Sequence, residues 1–241
     1  AVKPQVMPAV LEEIRNFVTR DKLVISIAAG KETGWYEKYL AEGVAVVRIM
    51  PNINAKVKSA VTAVCGGKNA DDEHIKIADG IFSTVGKVYH IEEKMFPAFS
   101  AMGGASGAFV LLYIDALAEA GVRAGFARPV AEEIATATVI GSGLLNQQSE
   151  EHPIELMNKV CSPGGTTIEG VLALEKGGLR AAVIEAVGAL WLELHYSKDE
   201  ILSLYVSNAP YGGNTVGMQT AAWRYFMREG AELSWAEAAL E

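Results

Sequence analysis

The chain has 241 residues, 50% of them hydrophobic and 21% charged, so it can bury a core and is not a disordered protein. The net charge of −8, with no block of Lys or Arg, argues against a nucleic-acid-binding surface. Two isolated cysteines, Cys65 and Cys161, exclude a disulfide scaffold or a zinc ribbon and favour a reducing cytoplasm. The sequence contains no signal-peptide pattern, and because it opens without Met we expect a chain that has been cut.

The first 93 residues alternate helices and strands. Hydrophobic spacing predicts helices over 4–19, 31–42 and 71–82, and strands over 23–30, 44–50, 57–65 and 86–90. This alternation predicts βαβ units in a largely parallel sheet. The first strand is apolar at successive positions, which is typical of a strand buried on both faces.

Beyond Glu92 the strand signals end, and only helices are predicted. They run roughly over 94–120, 129–149, 152–160, 166–176 and 179–195, with glycines between them. The stretch Pro97–Ile114 carries no charge and approaches the length of a membrane span. Because it holds three glycines and two serines and is followed directly by Asp115, we expect a helix buried inside a soluble helical assembly instead.

The composition changes again near residue 190. The last 51 residues contain 8 of the 19 aromatic residues, 3 of the 4 tryptophans, and seven acidic against three basic residues. This step predicts a segment of different origin from the rest of the chain.

The strongest local signal is the run from Cys161 to Ile168, Cys-Ser-Pro-Gly-Gly-Thr-Thr-Ile. Two glycines allow close approach of a ligand and can aim backbone N–H groups at an anion, and the next helix presents its positive end there. The segment could therefore bind a small carboxylate. From these residues alone, the preferred interpretation is an ordinary turn with Ser or Thr capping the helix and Pro-Gly forming the bend.

Several motifs in order give residues 1 to about 190 a family resemblance. They are Ala1–Pro4, Ser26–Gly30, Arg48–Asn52, Asp115–Val122, Thr138–Ser142, Glu151–Pro153 and Ser162–Thr167. This part of the chain resembles pyrroline-5-carboxylate reductase, the last enzyme of proline biosynthesis. The family's fold implies an α/β Rossmann-type remnant followed by an all-α dimerisation domain, and its reaction reduces the cyclic imine to proline with NADPH or NADH.

The resemblance also implies roles for individual residues. Val2, Lys3, Pro4, Ala28 and Ala29 would line the nicotinamide end of the cofactor. Ser162, Gly164, Gly165, Thr166 and Thr167 would bind the substrate, and Thr167, near the ring nitrogen, would be the catalytic residue. The carbon that accepts a hydride is already electrophilic, so a hydroxyl or water that gives a proton to nitrogen completes the chemistry.

Two departures from the family pattern stand out. Gly107 replaces a proline that the family usually has, which would loosen the start of a helix near the active site. No G-x-G-x-x-G occurs in the sequence, so the pyrophosphate-binding turn and roughly two βα units of the family, at about 30 residues each, have no counterpart. We therefore expect weak activity from the chain as it stands.

The tail resembles a second family. The runs Tyr196–Val206, Asn208–Asn214, Arg224–Phe226 and Glu232–Leu240 are similar to part of the peptidoglycan glycosyltransferase domain of bifunctional penicillin-binding proteins. Ser203 stands where that family usually has Glu, and its catalytic acidic motif is not found. An amphipathic helix over 198–206 with an aromatic core would look partly similar. A single helix would continue through the junction near Ala189–Trp191.

The sequence thus predicts three parts. They are a partial Rossmann domain over 1–93, a helical dimerisation and substrate domain over 94–190, and a short α-helical C-terminal tail over 191–241 related to the glycosyltransferase. The leading hypothesis is a cytoplasmic homodimeric or larger reductase with a small-molecule substrate and no metal, nucleic-acid or membrane partner. The alternatives are a non-catalytic helical dimer module and a fragment of a peptidoglycan glycosyltransferase.

Overall fold

The structure, a computed structural model, describes residue 2 and residues 4–212 and 215–234. Internal contacts divide the chain into two units, Ala1–Gly188 and Ala189–Glu241. Parts of the predicted motifs lie outside the described residues, namely Ala1, Lys3, Gly213, Asn214 and residues 235–241.

The first part of unit one contains a four-stranded sheet. Its elements are a 3₁₀ turn Pro4–Val6, α1 Met7–Ile14, β1 Leu23–Ser26, α2 Thr33–Glu37, β2 Ala45–Pro51, a 3₁₀ turn Ile53–Val57, β3 Ala60–Gly66, α3 Asp72–Phe82, a 3₁₀ turn Ser83–Val85 and β4 Gly86–His90. The first helix and first strand are shorter than predicted. Predicted burial of the first strand on both faces is wrong within this chain, because β1 lies at the sheet edge and only Ser26 is buried.

The sheet has the order β1-β2-β3-β4. The pairs β1–β2 and β3–β4 are parallel, as predicted, whereas β2–β3 is antiparallel. The antiparallel pair arises because a short connection without a crossover helix, closed by left-handed Lys58 (φ 57°), joins the two strands. The sheet is therefore rich in parallel pairs with one reversed pair at its centre.

Helices cover both faces of the sheet. On one face, Leu11 of α1 and Tyr36 of α2 pack with Val46. On the other, Ala78 of α3 packs with Val47 and Ile49, two successive odd positions of β2. Strand β2 is consequently buried over most of its length, since each of its faces contacts a different helix layer.

The second part of unit one is helical. One continuous helix runs over Glu93–Arg123 and comprises a 3₁₀ turn Glu93–Met95, α4 Phe96–Phe99, a π-helical turn Ser100–Ala105 and α5 Gly107–Arg123. It is followed by α6 Arg128–Gln148, α7 Pro153–Val160, α8 Thr166–Lys176 and α9 Leu179–His195. The start of the long helix packs on the sheet through Phe96 and Phe99, which contact Ala63 and Cys65.

The long helix is apolar enough and long enough to cross a membrane, yet only 11% of its most apolar window is buried within the chain. Its contacts with α6 use small residues, Ala118 against Ala131 and Ala135, and Gly121 lies close to Ala131. Length and composition alone are weak grounds for a membrane span. The predicted burial of this helix is thus not achieved within one chain.

The second unit begins within α9 and contains α10 Lys198–Asn208, α11 Met218–Phe226 and a 3₁₀ turn Gly230–Glu232. Ser197 caps α10 by accepting the N–H of Glu200, whose carboxylate in turn accepts the N–H of Ser197. Between the helices, Pro210 and Val216 form an isolated bridge. The described part of the tail therefore folds as a short helical pair, in agreement with the predicted α-helical C-terminal tail.

Candidate active site

The run predicted to bind a carboxylate forms a tight turn between α7 and α8. The N–H of Gly165 donates to the carbonyl of Ser162 at 2.9 Å. Gly164 has φ +69°, a conformation that favours glycine, and a Cβ on Gly165 would come within 3.1 Å of the Ser162 carbonyl oxygen. Both glycines are therefore needed for this shape of the turn.

The turn delivers the chain directly into the first turn of α8. Gly165 occupies the N-cap position, and no side chain forms a capping hydrogen bond there. The predicted capping by Ser or Thr is wrong, since Thr166 and Thr167 are the first residues of the helix rather than its cap. Backbone N–H groups of a first helical turn have no partner within the helix, and without a side-chain cap they can bind an anion.

The hydroxyl groups predicted to bind the substrate lie at the same place. Ser162, Thr166 and Thr167 are exposed in the single chain, and Gly165 is half-buried. The structure thus brings the five predicted substrate-binding residues together in one exposed turn and helix start.

Two of the residues predicted to line the cofactor, Ala28 and Ala29, follow the end of β1. Ala28 is buried and its N–H donates to the Ser26 hydroxyl at 3.3 Å, while that hydroxyl donates to the Tyr36 phenol at 2.5 Å. Ala29 is exposed. Ala28 and Val2 line one cavity of about 210 Å³, whereas Lys3 lies outside the described residues and Pro4 begins a 3₁₀ turn.

The two predicted groups lie on different elements. Ala28 and Ala29 follow β1 at the same edge as Asn52, which follows the parallel strand β2. Ligands of α/β sheets bind at the carboxyl ends of parallel strands. Of the five residues predicted to line the cofactor, only Val2 and Ala28 line this cavity, and none of residues 162–167 does, so the cavity does not join the two predicted groups.

A polar cluster that the sequence analysis missed lies between the sheet and the long helix. The Glu93 carboxylate accepts the N–H and the hydroxyl of Thr33, each at 2.8 Å, and pairs with Arg48 at 3.1 Å. The guanidinium of Arg48 lies 4.3 Å from the centre of the Phe96 ring. The signal in the sequence is Arg48, a charge in the middle of an otherwise apolar strand.

A second missed feature lies further along the same helix. Asn52 donates to the carbonyl of Gly103 at 2.8 Å, within the π-helical turn. These residues line a cavity of about 500 Å³ together with Tyr89, Phe99 and Ser106. The irregular turn ends at Ala105, two residues before Gly107, where the sequence predicted a loosened helix start.

One cysteine and three histidines have structural environments. Burial, and secondarily the charge of Glu93, raises the pKa of the Cys65 thiol to about 12, which makes this residue an inert part of the core. His74 and His152 take part in helix caps, and His90 contacts Asp79 at 3.0 Å. Within the described ranges, no group of three or more His, Cys, Asp and Glu side chains could hold a metal ion.

A parallel-rich sheet followed by a helical region defines a Rossmann-like protein with a helical dimerisation region. The family described as pyrroline-5-carboxylate reductase dimerisation matches residues 93–193. The pyrroline-5-carboxylate reductase of Methanosarcina acetivorans is 43% identical over 187 residues, covering 78% of this chain and 69% of that protein. The Aquifex aeolicus enzyme is 40% identical over the same shares. The chain belongs to the pyrroline-5-carboxylate reductase family, as its motifs predicted.

Solved structures agree with this membership. The Coxiella burnetii reductase superposes with a TM-score of 0.76 at 32% identity, covering 82% of this chain and 75% of that one. The Plasmodium falciparum enzyme, solved with NADP bound, gives a TM-score of 0.74 at 31% identity over 80% of this chain and 78% of its own. The predicted Rossmann-type fold with a helical dimerisation region is confirmed.

A second family, described as transglycosylase, matches residues 156–240. The predicted resemblance of the tail to a glycosyltransferase is therefore confirmed as a similarity. This match begins in α7 and shares residues 156–193 with the reductase match. The helices α8 and α9 consequently satisfy the patterns of both families.

Proposed function

We propose that this chain reduces 1-pyrroline-5-carboxylate to L-proline with NADPH or NADH, the last step of proline biosynthesis. The observation that carries the proposal is the 43% identity to a pyrroline-5-carboxylate reductase over 187 residues. The Gly-Gly turn and uncapped helix start provide the anion site that such a substrate requires.

The turn would hold the carboxylate of the substrate. Gly164 and Gly165 shape the backbone so that no side chain covers the first N–H groups of α8, and Ser162 and Thr166 add hydroxyl donors. Hydrogen bonds to an anion are stronger than those between neutral groups, so this arrangement orients the imine ring from its carboxylate.

The residues after β1 fit the nicotinamide end of the cofactor. Ala28 and Ala29 carry only methyl groups, and the cavity beside Ala28 extends to Val2. The family resemblance implies that Lys3 and Pro4 would line the same end. When bound, NADPH or NADH supplies the hydride that reduces the imine carbon.

Thr167 would hold the proton that the ring nitrogen needs. Its hydroxyl follows the carboxylate-binding turn by one residue and lies on the exposed start of α8. Because the imine carbon is already electrophilic, the protein has to position one proton donor rather than activate a nucleophile. This requirement agrees with a site that consists of hydroxyls and backbone groups.

The assembly would be a cytoplasmic homodimer or a larger homo-oligomer without nucleic-acid or membrane partners. Support comes from the match of residues 93–193 to a dimerisation family. It also comes from the apolar side chains that the long helix leaves exposed in one chain, such as Leu111 and Leu112. A second copy of this helical region would cover them.

The direct test measures loss of NADPH or NADH absorbance with 1-pyrroline-5-carboxylate. Substitution Thr167→Val removes the proton donor while keeping the shape, and we expect kcat to fall about 10²- to 10⁴-fold. Thr138→Val, in the exposed middle of α6, is the matched control and should leave kcat unchanged. A folded dimer without turnover would contradict the proposal and favour the non-catalytic dimer module.

A further inference from the structure

Glu93 contacts two segments that are far away in the sequence. Both of its carboxylate oxygens accept hydrogen bonds from Thr33, one from the backbone N–H and one from the hydroxyl. The oxygen that accepts the N–H also pairs with Arg48 of β2. One carboxylate thus joins the start of α2, the centre of the sheet and the start of the long helix.

The contact of Glu93 with Thr33 fixes one end of the loop that precedes α2. Thr33 is the first residue of α2, and the N-cap residue Glu32 forms no side-chain capping bond. Glu93, 60 residues further along the chain, therefore accepts one of the N–H groups that the start of a helix leaves without a partner within the helix. The loop Ile27–Glu32, which contains Ala29, is held by Glu93 at one end and by the contact of Ala28 with Ser26 at the other.

Glu93, the acceptor in this contact, lies where the helical region begins. Glu93 is the first residue of the continuous helix Glu93–Arg123. The Arg48 side chain is only 9% exposed and lies over the ring of Phe96 in the first α-helical turn. A charge pair with this little solvent contact is fixed in geometry, since a guanidinium that lost its carboxylate would stay desolvated.

We infer that Glu93 is a positioning residue that, through Thr33 and Arg48, holds the loop Ile27–Glu32 against the start of the long helix. The inference rests on the proposed function only where it assigns that loop to the cofactor. The loop and the helix start then move as one body, and the cofactor-lining residues keep a fixed place relative to the helical region. The proposed role of Glu93 involves no contact with the reacting atoms.

Amide hydrogen exchange of the full chain tests the positioning without any need for turnover. In Glu93→Gln, which keeps the size but loses the charge, we expect exchange over 27–37 to become about fivefold to tenfold faster. Exchange over the capped helix 71–82 should stay unchanged. The control Glu92→Gln removes the exposed neighbour that pairs with Lys94 and should alter neither segment. Unchanged exchange over 27–37 in Glu93→Gln would overturn the inference.

A second variant serves if Glu93→Gln does not fold. Thr33→Val removes only the hydroxyl donor and leaves the ion pair of Glu93 and Arg48 intact. In this variant the amide hydrogens of residues 27–37 should exchange faster, while those of residues 93–99 should exchange at an unchanged rate. Equal protection of 27–37 in Thr33→Val and the unaltered chain would likewise overturn the inference.

Kinetics separate positioning from general stability. A loop that is ordered for the cofactor predicts that Thr33→Val raises the KM for NADPH several-fold and leaves both kcat and the KM for 1-pyrroline-5-carboxylate within twofold. A fall in kcat without a change in the cofactor KM would contradict the assignment of the loop. If the unaltered chain shows no turnover, the proposed function fails, while the exchange experiment still decides the role of Glu93.

Discussion

The sheet region and the helical region of the first unit differ in where their apolar side chains lie. In the sheet region, Val46, Val47 and Ile49 are at most 1% exposed and are covered by helices of the same chain. In the helical region, the cluster of buried residues consists of alanines, whereas Leu111 and Leu112 are 65% and 69% exposed. The sheet has its core within the chain, and the helices do not.

This difference supports the assembly proposed above for the helical region. Side chains of α5, α8 and α9 line an apolar cavity of about 450 Å³. A soluble monomer rarely leaves apolar surface of this kind uncovered. The buried alanines bring α5 and α6 close together, and their larger apolar residues point outward, where a second copy of a dimerisation domain can cover them.

The largest effect is expected from a charge placed on this outward surface. Leu112→Asp would bury an unpaired carboxylate in the proposed interface, and we expect self-association to weaken by more than about 100-fold. Sedimentation velocity over a concentration series measures it. Ile81→Asp, at a half-exposed position of α3 in the sheet region, is the control and should leave association unchanged. If the Leu112→Asp variant still dimerises like the unaltered chain, this surface does not form the interface.

A cavity created in the sheet core tests whether the sheet region has its core within a single chain. Ile49→Ala removes a side chain buried between β2 and α3, and we expect a loss of about 2–5 kcal/mol in the free energy of unfolding. Urea denaturation at fixed protein concentration measures it. Ile53→Ala, at an exposed position of the following turn, should cost little. Equal losses in the two variants would contradict a core contained within the chain.

The same comparison explains which parts of the fold the sequence could predict. Elements with local signals were predicted nearly to the residue. Asp71 caps α3 where a helix was predicted to begin, and β4 covers Gly86–His90, the residues predicted for it. The turn at Gly164 and Gly165 likewise follows from residues adjacent in the chain. Family motifs then assigned it to substrate binding, which no local rule could do.

Features that depend on distant partners were not predicted. The direction of the pair β2–β3 depends on the path of the connection around Lys58, which hydrophobic spacing does not encode. The contact of Glu93 with Thr33 spans 60 residues and has no periodic signal. The predicted capping of α8 failed for a local reason, because the turn places Gly165 and not a Ser or Thr at the N-cap position.

The smallest effect concerns a cap that stabilises the sheet region locally. The backbone N–H of His74, with further help from its imidazole and from Glu73, holds the pKa of the Asp71 carboxyl below its ordinary value of 3.8. A carboxyl with a depressed pKa stabilises the folded state above pH 3.8, and this stabilisation is lost as the pH falls through the lower pKa of the folded state. Asp71→Ala should therefore be less stable than the unaltered chain at neutral pH, and the difference should shrink as the solution is acidified. Thermal denaturation between pH 7 and about pH 2.5 measures it. Asp72→Ala removes the same charge without the cap, so a pH dependence equal to that of Asp71→Ala would assign the effect to net charge and not to the helix start.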